Sequence, residues 1–160
     1  MTRFSSSFAA TDFLTKFDSD KSLAISARFK QYLIYFRCFF MQTIEQALNR
    51  LGRSKFRSSF KLTKKDREYL EKKGIEVMRS HAFDFVSTRL APANPVNDGR
   101  QTPMHGHPVF KAMHATACCC RGCLEKWYRV PKNRELTESE QERIVNLLMA
   151  WISKNTENGA

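Results

Sequence analysis

The hydrophobic positions of this chain fall into helical periods. From Lys21 to Leu51, Phe29, Leu33, Phe36, Phe40, Ile44, Leu48 and Leu51 recur at three- and four-residue steps, which line one face of a helix. Gly52 then offers a stop. Thr63 followed by Asp66 has the form of an N-cap with an acid in the first turn, so a helix is expected from Lys64, ending at Lys72-Lys73-Gly74. Another is expected from about Ile75 to Leu90, burying Met78, Ala82, Phe85 and Leu90. His107-Pro108 can open the next, because proline is favoured at the first helical position. Val109, Met113, Cys120, Cys123, Leu124 and Trp127 follow near helical spacing, with Gly122 the expected point of any interruption and Pro131 the end. Thr137-x-x-Glu140 is a capping box, and Ile144, Leu147, Leu148, Trp151 and Ile152 form an amphipathic stripe behind it.

Between these patterns, residues 91–108 carry Pro92, Pro95, Asn97-Asp98-Gly99, Pro103, Gly106 and Pro108, a long Pro/Gly-rich loop of the kind that is either functional or mobile. The expected architecture is all-α, one small domain of about four or five helices. The Ser-rich residues 1–40 have no sustained period at their start and are expected to be a dispensable extension, with Met41 an alternative start. Residues 41–154 then form the domain, and 155–160 a frayed polar tail.

Charge adds a partner to this picture. The chain has 27 Lys+Arg against 16 Asp+Glu, a net charge of +11, and 21 against 13 of these fall from Met41 onward. Such an excess favours a polyanionic partner such as nucleic acid. Arg50, Arg53, Lys55, Arg57, Lys61, Lys64 and Lys65 follow one another without an acidic residue, interleaved with Phe56 and Phe60. We expect a loop or short extended piece here, its Phe side chains in the core and its cations at phosphates. Arg121 and Lys126 belong to a second basic run that would extend the same face.

Cysteine usage adds candidate chemistry. Four of five cysteines crowd into positions 118, 119, 120 and 123, which suits a reducing, cytoplasmic compartment better than a disulfide scaffold. The beginning of the chain lacks the apolar run of a secretory signal, and the greasy stretch Tyr32–Met41 is too short to span a membrane and carries Arg37. Cys120-x-x-Cys123 has zinc-knuckle spacing, and His114, His107 and Cys119 supply further candidate ligands, so zinc is the expected cofactor. The competing account is that these thiols pack as small hydrophobes. A zinc-deaminase pattern fails, because His114 is followed by Ala115-Thr116 and no Pro precedes the cysteines. A Cys/His nucleophile pair, Cys120 or Cys123 with His114 or His107 beside Arg121, stays open, and no catalytic residue is assigned. His81, near Phe85, reads as a satisfied, partly buried histidine.

Several blocks carry a resemblance: Arg53-Ser54-Lys55-Phe56-Arg57, Asn97-Asp98-Gly99-Arg100-Gln101-Thr102-Pro103-Met104, Gly106-His107-Pro108-Val109-Phe110 and His114-Ala115-Thr116-Ala117 leading into Cys119-Cys120-Arg121-Gly122-Cys123-Leu124-Glu125-Lys126-Trp127. Over about residues 51–153 the chain resembles a small bacterial and phage family of unknown function, domain of unknown function 4186. The resemblance implies no activity to transfer. The family pattern places His where this chain has Tyr128, Thr at Cys118 and Arg at His105, and losing the first removes one ligand or base from any scheme that needs it. Family members tend to start shortly before the Leu51 region, in line with the expectation for Met41. The first reading is a small nucleic-acid-associated binding module with a structural zinc. Its alternatives are a metal- or thiol-dependent hydrolase acting on nucleic acid, and a prophage-type protein-interaction module without metal.

Overall fold

Side-chain caps fix where most of the helices begin. The computed structural model describes residues 19–157 and contains eight helices there: α1 (Ser19–Phe39), α2 (Ile44–Gly52), α3 (Lys55–Ser58), α4 (Lys64–Lys73), α5 (Ile75–Arg89), α6 (Pro108–Ala115), α7 (Arg121–Tyr128) and α8 (Glu138–Glu157). Among the described residues there is no strand, so the fold is all-α as expected. Thr63 and Asp66 form the capping box of α4, and Thr137 and Glu140 the reciprocal pair at the start of α8. His107 caps α6 through its own ring, Nδ1 accepting from the Val109 amide at 3.1 Å.

Eight helices stand where about four or five were expected, and each extra boundary has a local cause. The Lys21–Leu51 pattern divides because Thr43 and Gln46 make a capping box that starts α2 afresh. Ser54 accepts from the Arg57 amide and starts the single turn of α3 inside the segment expected to be a loop. The cysteine-bearing pattern divides after Ala115, ahead of Gly122. Ala117 takes φ +58°, its amide donates to the His114 carbonyl, and the Cys118 amide donates to that of Met113. That pairing is the two-bond helix ending that ordinarily uses glycine at the left-handed position. Gly122 lies inside α7, where an added Cβ would meet only ordinary contacts. The helix ending at α8 runs through Glu157, past the expected start of the tail at Asn155.

The backbone clusters as two units, Met1–Ile34 and Tyr35–Ala160. In the first, Phe29 and Leu33 of α1 are exposed rather than core, and the side chain of Phe36, in the second, lies outside the described residues. The second holds the core, in which α8 packs along α5 and α6. Met78, Ala82 and Val86 from α5, Leu90 at its C-cap, and Ile144, Leu148 and Ile152 from α8 are all fully or almost fully buried. Every residue from Pro108 to Arg121 is buried, so α6 is surrounded on all sides. No helix among the described residues is long and apolar enough to cross a membrane.

Two side chains from the C-terminal end of α1 belong to this core. Phe39 is 2% exposed and meets Tyr128 edge-on at 5.9 Å. Tyr35 is buried and donates to Glu140, whose carboxylate also takes Arg134 and the Thr137 amide. Deleting a buried aromatic side chain costs about 3–5 kcal/mol. Phe39→Ala is therefore expected to lose that much in urea unfolding, and a chain started at Met41 at least as much. An unchanged unfolding midpoint in the Met41 chain would show that neither side chain supports the core.

Candidate functional site

The turn after α6 gathers three thiols. Cys120 is the N-cap of α7, its Sγ accepting from the Cys123 amide at 3.3 Å. Asp98, from the long connection, accepts from the Arg121 amide at 2.9 Å and completes the start of that helix. Thr102 holds the turn from the same side, donating to the Cys119 carbonyl at 2.8 Å. The Sγ atoms of Cys119, Cys120 and Cys123 lie within 4.8 Å of one another, with Cys119 and Cys123 at 3.6 Å. This group can hold a metal ion.

Arg57 closes the cluster from α3. Its Nη2 stands 3.2 Å from Cys123 Sγ, its Nη1 3.8 Å from Cys119 Sγ, and Nη1 also donates to the His114 carbonyl. The three thiols are therefore not equivalent. Hydrogen bonds from the Cys119 and Cys120 thiols, with Arg57 assisting against burial, hold the Cys123 thiol well below its ordinary value. Hydrogen bonds to Cys120 and then to Cys123, together with burial, push the Cys119 thiol up. Cys118 points elsewhere, donating to the Thr116 carbonyl, and burial pushes it up to about 12.

The two candidate histidines are placed apart from the thiols. His114 stacks on Phe60 at 5.4 Å, and its Nε2 is 3.1 Å from the Thr102 carbonyl oxygen, so it is not among the gathered ligand atoms. His107 Nε2 lies 3.1 Å from His81 Nδ1, among Tyr69, Phe85 and Phe110. Tyr128 is no ligand either: its hydroxyl donates to the Thr116 carbonyl.

The cations separate into two groups. Arg57 and Arg121 are buried, at 8% and 1% exposure. Arg121 donates to the carbonyls of Leu90, Ala91 and Pro131, which ties the end of α5 to the segment after α7. Arg50 is half-buried, donates to the Trp127 carbonyl at 2.6 Å and stands over the Trp127 and Tyr128 rings. These three guanidinium groups face protein. Arg53, Lys55, Lys61, Lys64, Lys65 and Lys126 are exposed. Phe60 is half-buried as part of the core margin, whereas Phe56, expected in the core, is 53% exposed with Arg57 over its ring. The role of Arg57 is the main feature that sequence reading misses. Its one signal is the Ser54 cap three residues earlier, which turns the basic run into a helix with an inner face.

The geometry at His107 gives a pH dependence. Burial, then the neighbouring His81, holds its pKa down to about 4 from an ordinary 6.5, with Asp66 opposing. The folded protein thus holds the neutral ring, while the unfolded chain takes up a proton below 6.5. The contribution of this ring to stability is complete above that pH and declines as pH falls from 6.5 toward 4. His107→Asn, which keeps a capping side chain without a titrating ring, is expected to lose less melting temperature than the parent between pH 7 and 4.5. Parallel pH profiles would assign the acid sensitivity to other groups.

No solved structure matches the chain. The family model described as Domain of unknown function (DUF4186) matches residues 45–153, which span the thiol cluster, Arg57, the core helices α5 and α6 and most of α8. The chain belongs to the DUF4186 family.

Proposed function

We propose that the protein is a metal-binding module whose Cys119, Cys120 and Cys123 hold one thiophilic divalent ion, zinc being the best match. The observation that carries this reading is the convergence of three Sγ atoms within 4.8 Å. Thiolates around a tetrahedral zinc ion, each at about 2.3 Å, stand about 3.8 Å apart. The Cys119–Cys123 separation of 3.6 Å already approaches that value. Three thiolates and a divalent ion leave one negative charge, and the Arg57 guanidinium beside two of the sulfurs offsets it. The buried turn that carries the cluster joins α6 to α7, so an ion there would brace the centre of the fold.

Zinc analysis of the purified full-length protein, followed by cobalt titration, tests this. One equivalent of metal is expected, with a sulfur-to-cobalt charge-transfer band that is lost in Cys119→Ser, Cys120→Ser and Cys123→Ser and kept in Cys118→Ser. Chelator is expected to lower the melting temperature, because binding energy then contributes to folding. A protein that takes up neither zinc nor cobalt removes this reading.

A second function, nucleic-acid contact, is favoured by the exposed cations Arg53, Lys55, Lys61, Lys64 and Lys65 and by the exposed ring of Phe56 among them. Cations neutralise phosphates, and an exposed ring can stack on an unpaired base. If about four of these cations meet duplex phosphates, log K is expected to fall with log salt at a slope of about −3.6. Replacing Arg53, Lys55, Lys61 and Lys64 by Gln should flatten the slope. Absence of binding to DNA and RNA at low salt would dismiss it.

A further inference from the structure

We propose that Cys123 and Cys119 form a dithiol/disulfide couple that reacts with hydroperoxides, Cys123 attacking and Cys119 resolving. The proposal rests on placement and is independent of the metal reading, although both use the same sulfurs. The two Sγ atoms are 3.6 Å apart. A disulfide needs about 2.05 Å, so a shift of about 1.5 Å closes the bond, within the reach of side-chain rotation.

Burial assigns the roles. Cys119 is 7% exposed, whereas Cys123 is only partly buried and is the least buried residue of the three. Arg57 Nη2 stands 3.2 Å from that sulfur and fixes its direction, and the guanidinium charge stabilises negative charge on the attacking atom. Cys120 is a poorer resolving partner, because its Sγ accepts from the Cys123 amide and caps α7. Cys118 is fully buried and turned to the Thr116 carbonyl.

The steps balance. The Cys123 sulfur attacks the outer oxygen of the hydroperoxide; a sulfur–oxygen bond forms, the oxygen–oxygen bond breaks, and the departing alkoxide takes a proton to leave as alcohol. Cys123 is then a sulfenic acid, oxidised by two electrons. The Cys119 sulfur attacks it; the sulfur–sulfur bond forms, the sulfur–oxygen bond breaks, and the hydroxide leaves with the Cys119 proton as water. Two thiols and one hydroperoxide thus become one disulfide, one alcohol and one water.

The test treats the full-length protein, before and after chelation, with tert-butyl hydroperoxide and maps thiols by mass spectrometry. A loss of two hydrogens confined to a Cys119–Cys123 crosslink is expected, faster after chelation if metal was bound. Cys119→Ser should accumulate a sulfenate on Cys123 that a cyclic dione traps. Arg57→Gln should slow the first step at least tenfold at matched stability, while Cys118→Ser should leave the rate unchanged. Should Arg57→Gln unfold, Arg57→Lys, which keeps the charge without the paired donors, is the substitute and should be slowed in the same direction. Oxidation no faster than that of a free thiol in a denatured control overturns the proposal, as does a crosslink through Cys118 or Cys120. Metal content is read separately in the same samples, so failure of the zinc reading and failure of this one are distinct results.

Discussion

Every residue from Pro108 to Arg121 is buried, and that segment contains Lys111, His114, Thr116 and Arg121. A polar group removed from water must find its partner inside the protein. The rest of the fold supplies those partners. Lys111 takes the Asp66 carboxylate from α4, His114 the Thr102 carbonyl, Thr116 the Ala112 carbonyl and Arg121 three carbonyls around it. The Lys111–Asp66 pair shows the force of the requirement. Burial acts to raise the Asp66 pKa, yet hydrogen bonds from Lys111 and Thr63 hold it below its ordinary value. The same aspartate closes the capping box of α4, so one carboxylate sets a helix start and neutralises a cation in the core.

The requirement also explains why the long connection between α5 and α6 is bound to the centre. Arg89 donates to the Gln101 carbonyl, Gln101 reaches the Asp98 carboxylate, and Asp98 caps α7. Thr102 meets both the Cys119 carbonyl and the His114 ring. Thiols that would otherwise sit in an irregular turn are held by contacts from α3, from this connection and from α7 itself.

Features written in neighbouring residues were legible in the sequence. The Thr63/Asp66 and Thr137/Glu140 caps, the His107-Pro108 start and the Gly74 stop are local chemistry, and each stands where its residues indicate. The all-α class follows from periodicity for the same reason. Other features depend on distant partners. Ala117 adopts a conformation that usually marks glycine, so nothing in its type announces the end of α6. A guanidinium counted as basic can face water, as Arg53 does, or carbonyls and sulfurs, as Arg121 and Arg57 do, and composition cannot distinguish them. Spacing brought Cys119, Cys120 and Cys123 to attention, but the histidines beside them in sequence satisfy other neighbours.

Arg57 lies more than sixty residues before the sulfurs it touches, on a helix of one turn. The CxxC segment by itself can bring sulfurs together, as a short metal-binding peptide would, but it cannot carry their counter-charge. That charge arrives only when α3 seats against α6. The charge beside Cys123 is therefore set by long-range assembly, and a thiol-labelling reagent added during refolding would report whether that sulfur changes when the two ends of that contact meet.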